Sequence, residues 1–324
     1  MQKQLAIQIV TPATRRSRMG NRVTADRWSA LLRSLGHRVR VVTVLGREPA
    51  DVIVALHARR SYESILRSHE TFPGRPLIVA LTGTDVYRDI QHDASARDSL
   101  RMATSLVVLQ QAAVDELPEH ARHKARVILQ SATPRPRRRS RDAPLRMVSV
   151  GHMRAEKDPF RLVEALASEP GLSVEIVHAG RALDLDFDRA ARRWMALEPR
   201  YRWVGGVAPT TARQMIADSD ALVLSSLLEG GANVISEAVV CGVPVLASRI
   251  SSSVALLGTS YGGFFQPGDT SELAALLSRF VAQAELRNEL QCAVGDLKER
   301  FSPDAEREAW RRLLAELPDR EAVG

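Results

Sequence analysis

Short apolar runs recur along this chain, each bounded by turn residues and followed by a helix-like stretch, and this rhythm constrains the fold more than any other feature. The first series has strand-like runs at Leu5 to Val10, Arg38 to Val44, Val52 to Leu56, Leu77 to Leu81, Ser105 to Leu109 and Arg126 to Leu129. Helix-like segments separate them, most clearly Asn21 to Leu35, which stops at Gly36. Strand–helix alternation of this kind builds a parallel sheet with both faces covered. A stretch rich in proline and like charge follows, Pro134-Arg135-Pro136-Arg137-Arg138-Arg139-Ser140-Arg141. It reads as a solvated linker; a nucleic-acid-binding arm is the sharper alternative, and the second βα series that follows favours a junction. That series has runs at Leu145 to Val150, Ser173 to His178, Tyr201 to Val204, Ala221 to Leu224 and Val243 to Ala247. The expected fold class is α/β, with Rossmann-like units at 1–133 and 145–302, a linker at 134–144, and a last helical segment at 303–324. Ligands of such units bind outside the carboxyl ends of the strands, so a cleft between the two is the expected site.

A length of 324 residues suits two domains, each with its own core. The balance of 45 Lys+Arg against 38 Asp+Glu, net +7, favours anionic partners. Aromatics are only 5% and the arginines are not interleaved with them, so the stacking platform of a single-strand nucleic-acid binder is missing and no nucleic-acid partner is expected. Two cysteines, Cys241 and Cys292, stand outside any metal-type cluster and fit a reducing compartment. The N-terminus enters a strand at once and no apolar run approaches membrane-spanning length. The expectation is a soluble, cytoplasmic protein without stable membrane association.

Three stretches carry candidate chemistry. After the strand Ala221 to Leu224 come Glu229, Gly230, Gly231, Ala232, Asn233 and Val234, with Glu237 one helical turn further. Glycines ahead of a helix N-terminus suit an anionic group such as a diphosphate, and Glu237 could meet a sugar hydroxyl. The same spacing also fits an ordinary strand-to-helix turn with two solvated acids. After the strand Leu145 to Val150, the turn Gly151-His152-Met153-Arg154-Ala155-Glu156-Lys157 holds two cations and a histidine. Cations already in place stabilise charge that grows on a leaving diphosphate; surface charges at a turn are the plain alternative. Asp184, Asp186 and Asp188 could suggest a metal site, but carboxylates at a helix start complement its dipole, and no metal is expected. In the first half, four arginines between Arg15 and Arg22 precede a helix and could cradle a small, strongly anionic ligand. Leu81 to Asp89 ends another strand at the same rim, where Asn21 and Asp85 read equally as ligand contacts or as helix caps.

The pair Glu229 and Glu237 around Gly230-Gly231 resembles the E-x7-E motif of the family 4 retaining glycosyltransferases. That resemblance implies the GT-B architecture, two Rossmann-like domains with parallel sheets facing across a cleft, with the 303–324 helix crossing back onto the first domain. It implies catalytic roles for Lys157, Arg154 and Glu229. Donor binding would fall to Gly151, His152, Gly205, Gly230, Gly231, Ala232, Asn233, Val234 and Glu237, with no cofactor and no metal. Lys157 matches the lysine of the family's arginine–lysine pair. The arginine's place is held by His152, with Arg154 two residues on, and either could serve.

The cationic run from Thr11 to Trp28 departs from the family's usual glycine pair. With Leu81 to Asp89, Gly151 to Pro159 and Gln130-Ser131, it makes nearly the whole chain similar to the selenosugar synthases of selenoneine biosynthesis. That resemblance implies transfer of the sugar of UDP-N-acetylglucosamine or UDP-glucose to selenophosphate, giving a 1-selenosugar after loss of phosphate. The acceptor residues would be Thr11, Arg18, Asn21, Arg22, Thr82, Gly83, Thr84, Asp85, Arg88, Gln130 and Ser131. A selenium anion is nucleophilic near neutral pH and needs no strong general base, so cations for orientation would suffice. A family 4 enzyme with a hydroxyl acceptor and a non-catalytic two-domain binder are the competing readings.

Overall fold

The computed structural model describes residues 3–15, 20–46, 48–83, 85–140 and 142–318. It divides into two compact units, one holding the chain up to Gln130 together with the chain from Pro303, the other Ser131–Ser302. The first contains β1 (Ala6–Val10), β2 (Arg38–Val42), β3 (Val52–Leu56), β4 (Leu77–Leu81), β5 (Ser105–Val108) and β6 (Ala125–Val127), in the order β2-β1-β3-β4-β5-β6. The second contains β7 (Arg146–Val150), β8 (Glu175–Ala179), β9 (Tyr201–Trp203), β10 (Ala221–Leu224), β11 (Val245–Ser248) and β12 (Phe264–Phe265), in the order β12-β11-β10-β7-β8-β9. Neighbouring strands are parallel throughout both sheets.

The apolar runs form strands because the sheet is covered on both sides. In β3 every residue is buried, and the period of two sorts them: Val52, Val54 and Leu56 join one core cluster, Ile53 and Ala55 the other. The first of these clusters also takes in Trp28 from the helix Gly20–Ser34 and Trp310 from the helix Pro303–Ala315. Their rings meet edge to face at 4.9 Å, and the Trp28 indole N–H donates to Glu306 Oε1 at 2.7 Å. Glu306 is buried, and Arg27 Nε lies 3.3 Å from its other oxygen. The last helix therefore completes the core of the unit that begins the chain.

The Pro/Arg segment is not the solvated linker that its charge suggests. Arg137 donates to Ser219 O and Asp220 Oδ1, both at 2.9 Å, and the Arg138 amide donates to Asp218 Oδ1 at 2.6 Å. Gln214 holds Pro136 O at 3.0 Å. Two aspartates about eighty positions away thus fasten the run to the second unit.

In each sheet the chain reverses its direction of growth at one place: between β1 and β3 in the first, and between β7 and β10 in the second. Loops leaving neighbouring strands there diverge to opposite sides and leave space for a ligand at the carboxyl edge. Truncating Trp310 to alanine should cost the first unit about 3–5 kcal/mol, the range for a buried aromatic. Urea denaturation of the variant, followed by tryptophan fluorescence and circular dichroism, reads this as an earlier first transition.

Candidate functional site

At the carboxyl edge of the second sheet, hydrogen bonds link the loops that follow β9, β8, β7 and β10. Gly180 N, after β8, donates to Gly205 O, after β9, at 2.8 Å. Gly151 N, after β7, donates to Ala179 O at 2.9 Å. The loop after β10 is stitched to the one after β7: Leu227 N donates to Glu156 O at 2.9 Å, and Ser225 Oγ donates to Asp158 O at 2.8 Å. This stitching follows from register, because β10 and β7 are adjacent, with Ala221 opposite Met147 and Leu222 opposite Val148.

The same loops bring Lys157 and Glu229 together across 72 positions of sequence. Lys157 Nζ forms an ion pair with Glu229 Oε1, which also accepts from Ser226 Oγ at 2.7 Å. The Glu229 side chain is 6% exposed and that of Lys157 is 19%, so the pair is screened from most water. Lys157 ends a short 3-10 turn, Ala155–Lys157, and Asp158 after it adopts a left-handed conformation with φ 42°. Behind Glu229 the helix Asn233–Cys241 begins, with Ala232 as its N-cap and Glu237 half-buried one turn in. Its N-terminus follows the same loop as Glu229, and the free N–H groups of a helix start can receive an anion.

The other expected cations are placed differently. Arg154 lies 3.9 Å from Glu156 with its side chain 37% exposed. His152 Nδ1 accepts from the Arg181 amide at 3.1 Å, which leaves that nitrogen unprotonated. Asp184 caps the helix Leu185–Leu197 by accepting from Phe187 N at 2.9 Å, and Asp188 pairs with Arg192 at 2.7 Å.

Beneath the rim, His178 is fully enclosed, with Nδ1 3.0 Å from Tyr201 OH and a hydrogen bond to the Gly151 backbone. Burial pushes the imidazole down to about 4, against a smaller upward pull from that bond. Gly180 completes the support: a Cβ there would lie 1.7 Å from Gly151 O, so only glycine lets β8 pass this close to the turn. Neither residue shows itself in the sequence as part of a site. The signal that was present is a glycine at the end of a strand, beside a buried histidine.

In the first unit, Thr82 Oγ1 donates to Asn21 Oδ1 at 2.6 Å, joining the loop after β4 to the helix Gly20–Ser34. Asp85 does not cap a helix. It is wholly buried, with Oδ1 accepting from Gly83 N at 2.7 Å and Oδ2 from Ala58 N at 3.0 Å, so it clamps the loops after β3 and β4. His57, at φ 74°, lies 3.8 Å from both Asp85 and Asp89, and burial holds it below the usual histidine range despite those carboxylates. Thr11 and Gln130 are likewise buried: the Thr11 hydroxyl accepts from Ala13 N at 3.4 Å, and Gln130 Nε2 donates to Thr24 Oγ1 at 2.9 Å. Ser131, also buried, opens the second unit. Arg22 pairs with Asp26, and Arg88 is exposed on the turn Asp85–Asp89. Arg18 and Thr84 lie outside the described residues.

The family model described as glycosyl transferases group 1 matches residues 132–293, half of the chain. The chain belongs to that family. A curated relative is the lipopolysaccharide core biosynthesis glycosyltransferase LpsE of Rhizobium meliloti (strain 1021), 30% identical over 179 residues, or 55% of this chain and 51% of the relative. The chain thus spans about half the length of that curated relative. Among solved structures, Anabaena Alr3699/HepE in complex with UDP superposes with a TM-score of 0.75 at 18% identity, covering 96% of this chain and 100% of that one. The sucrose-phosphate synthase (tll1590) of Thermosynechococcus elongatus gives 0.74 at 14% identity, covering 97% and 100%. These likenesses concern the fold: two parallel six-stranded sheets in the arrangement of the GT-B glycosyltransferases.

In this group 1 chain the support under the Gly151 turn is open to a pH test. The folded value of His178, about 4, lies below its unfolded value of 6.5, so the unfolded chain takes up the proton first as pH falls. Stability from this group is complete above pH 6.5 and is lost through the window down to about 4, a difference of about 3 kcal/mol. Between pH 7 and 4.5 the wild type should lose about 2–3 kcal/mol more than His178→Asn in urea titrations. Equal losses in the two proteins would show that His178 titrates as a free imidazole.

Proposed function

We propose that the chain transfers the sugar of a UDP-sugar to selenophosphate, and that the Lys157–Glu229 contact at the β7/β10 switch point is the centre of that reaction. The contact carries the reading because it places a cation and a carboxylate together at an edge where a diphosphate can also meet a helix N-terminus. On this reading Glu237 and Gly205 hold the nucleoside, and the turn Gly230 to Val234 holds the diphosphate. Glu229 lies by the sugar, while Lys157, joined by Arg154 once it leaves Glu156, stabilises the leaving UDP. The bond from the anomeric carbon to the β-phosphate oxygen breaks with its electron pair going to UDP, and selenium forms the new bond to that carbon. Water then takes the phosphoryl group from selenium, releasing phosphate and the selenosugar.

Selenophosphate is supported by the first-unit rim. The Thr82 hydroxyl and the Asn21 amide stand there beside the cations Arg15 and Arg22, and the nearby carboxylate of Asp85 is occupied by two backbone amides. A hydroxyl acceptor needs a base to take its proton, whereas selenophosphate arrives as a nucleophilic anion. The UDP held by Alr3699/HepE supports the choice of nucleotide. The similarity to LpsE favours a second reading, a glycosyltransferase with a hydroxyl acceptor.

Incubation with UDP-N-acetylglucosamine or UDP-glucose, with and without selenophosphate, should give UDP and a selenosugar only when both substrates are present, as read by mass spectrometry. UDP binding with no selenium product would move the acceptor to a hydroxyl compound, and failure to bind UDP would remove the whole reading. Lys157→Ala and Glu229→Gln should each lower kcat by about 10²–10³, the scale for losing one preorganised electrostatic group.

A further inference from the structure

A groove of about 840 Å³ runs along one side of the first unit, lined by Thr14, Arg15, Arg22, Asp26, Ser29, Arg33, Val41, Val42, Thr43 and Val44. Its described walls belong to the first unit. Arg22, Asp26, Ser29 and Arg33 are spaced four, three and four apart, so they form one stripe of the helix Gly20–Ser34. From Arg22 to Arg33 the stripe is about 16 Å long. The facing wall is the end of β2, the edge strand of its sheet, and the loop after β1 supplies Thr14 and Arg15.

Among the described lining residues, three arginines face one aspartate, which leaves two positive charges in excess. Arg22 satisfies Asp26 through two nitrogens, at 3.0 and 2.6 Å. Arg33 gives one nitrogen to Val39 O at 2.6 Å and keeps the rest of its guanidinium donors. Ser29 is 3% exposed and its hydroxyl has no hydrogen-bond partner, which is uncommon for a buried polar atom in a finished site. Between the cations lies an apolar surface of Val41, Val42 and Val44, and Val44 is 63% exposed. A ligand with an anionic head and an apolar body would meet both the cations and the exposed valine.

We propose that this groove binds a small organic phosphate, with the phosphate on the arginines and an apolar body on the valines. The arginine stripe extends about 16 Å along the helix, so an inorganic phosphate spans only part of it. A neutral ligand leaves the guanidinium groups without a counter-charge, and Arg meets phosphate with two parallel bonds. The assignment holds whichever acceptor the enzyme uses.

The test is calorimetric titration of the full chain at low salt with hexyl phosphate, hexanol and inorganic phosphate. Hexyl phosphate should bind at least tenfold more tightly than either of the others, and Arg15→Gln and Arg33→Gln should each weaken it by about tenfold. Val44→Asp, at an exposed position, should abolish binding by placing a like charge beside the phosphate. Unchanged melting curves for all three variants would show that the fold is intact. Hexyl phosphate no tighter than inorganic phosphate, or full affinity in Arg33→Gln and Val44→Asp, would overturn the proposal.

Discussion

Every strand in these two sheets runs the same way as its neighbours, so all the strand ends of one kind emerge at one edge. The functional arrangement rests on that constraint. Glu229 and Lys157 are far apart in sequence, yet each follows a strand directly, and β10 lies beside β7 in a fixed register. A slip of one residue in that pairing would turn alternate side chains to the opposite face and carry both loops out of reach. The contact is therefore specified mainly by the packing of strands beneath it, such as Leu222 and Val148, which never approach a ligand themselves.

Buried polar groups then refine what the register sets out. The two faces of the problem are visible in His178 and Asp85. His178 stays neutral because enclosure makes the imidazolium costly, and a neutral ring can still support the Gly151 backbone and Tyr201. Asp85 is enclosed as well, but backbone N–H groups from two loops surround its oxygens. Each residue braces loops at a strand end from below.

The sheets were legible in the sequence because strands covered on both faces must be apolar at consecutive positions, as β3 and β4 are. The two-residue strand β12 was not, since Phe264–Phe265 is too short to show a period. The Lys157 and Glu229 stretches were legible as turns that follow strands. Their contact was not, because nothing local records which strands become neighbours. Charge misled at two places for one reason. The arginines of 135–139 look solvated until Asp218 and Asp220 are brought alongside, and Asp85 looks like a cap until Ala58 and Gly83 present their amides. In both cases the partner is supplied by the tertiary structure, which sequence spacing does not encode.

The edge-to-face contact of Trp28 and Trp310 has a consequence for how the chain is made. The Trp28 indole finds its acceptor, Glu306, 278 positions later. At ordinary elongation rates the ribosome needs roughly 14–56 s to cover that distance. Throughout that time the nascent first unit carries an apolar groove where the last helix will lie, while the second unit, continuous in sequence, can close its own core. Vectorial synthesis thus reverses the order of completion: the half that emerges first is the half that finishes last, and during that interval its exposed face is the natural target for a holding chaperone.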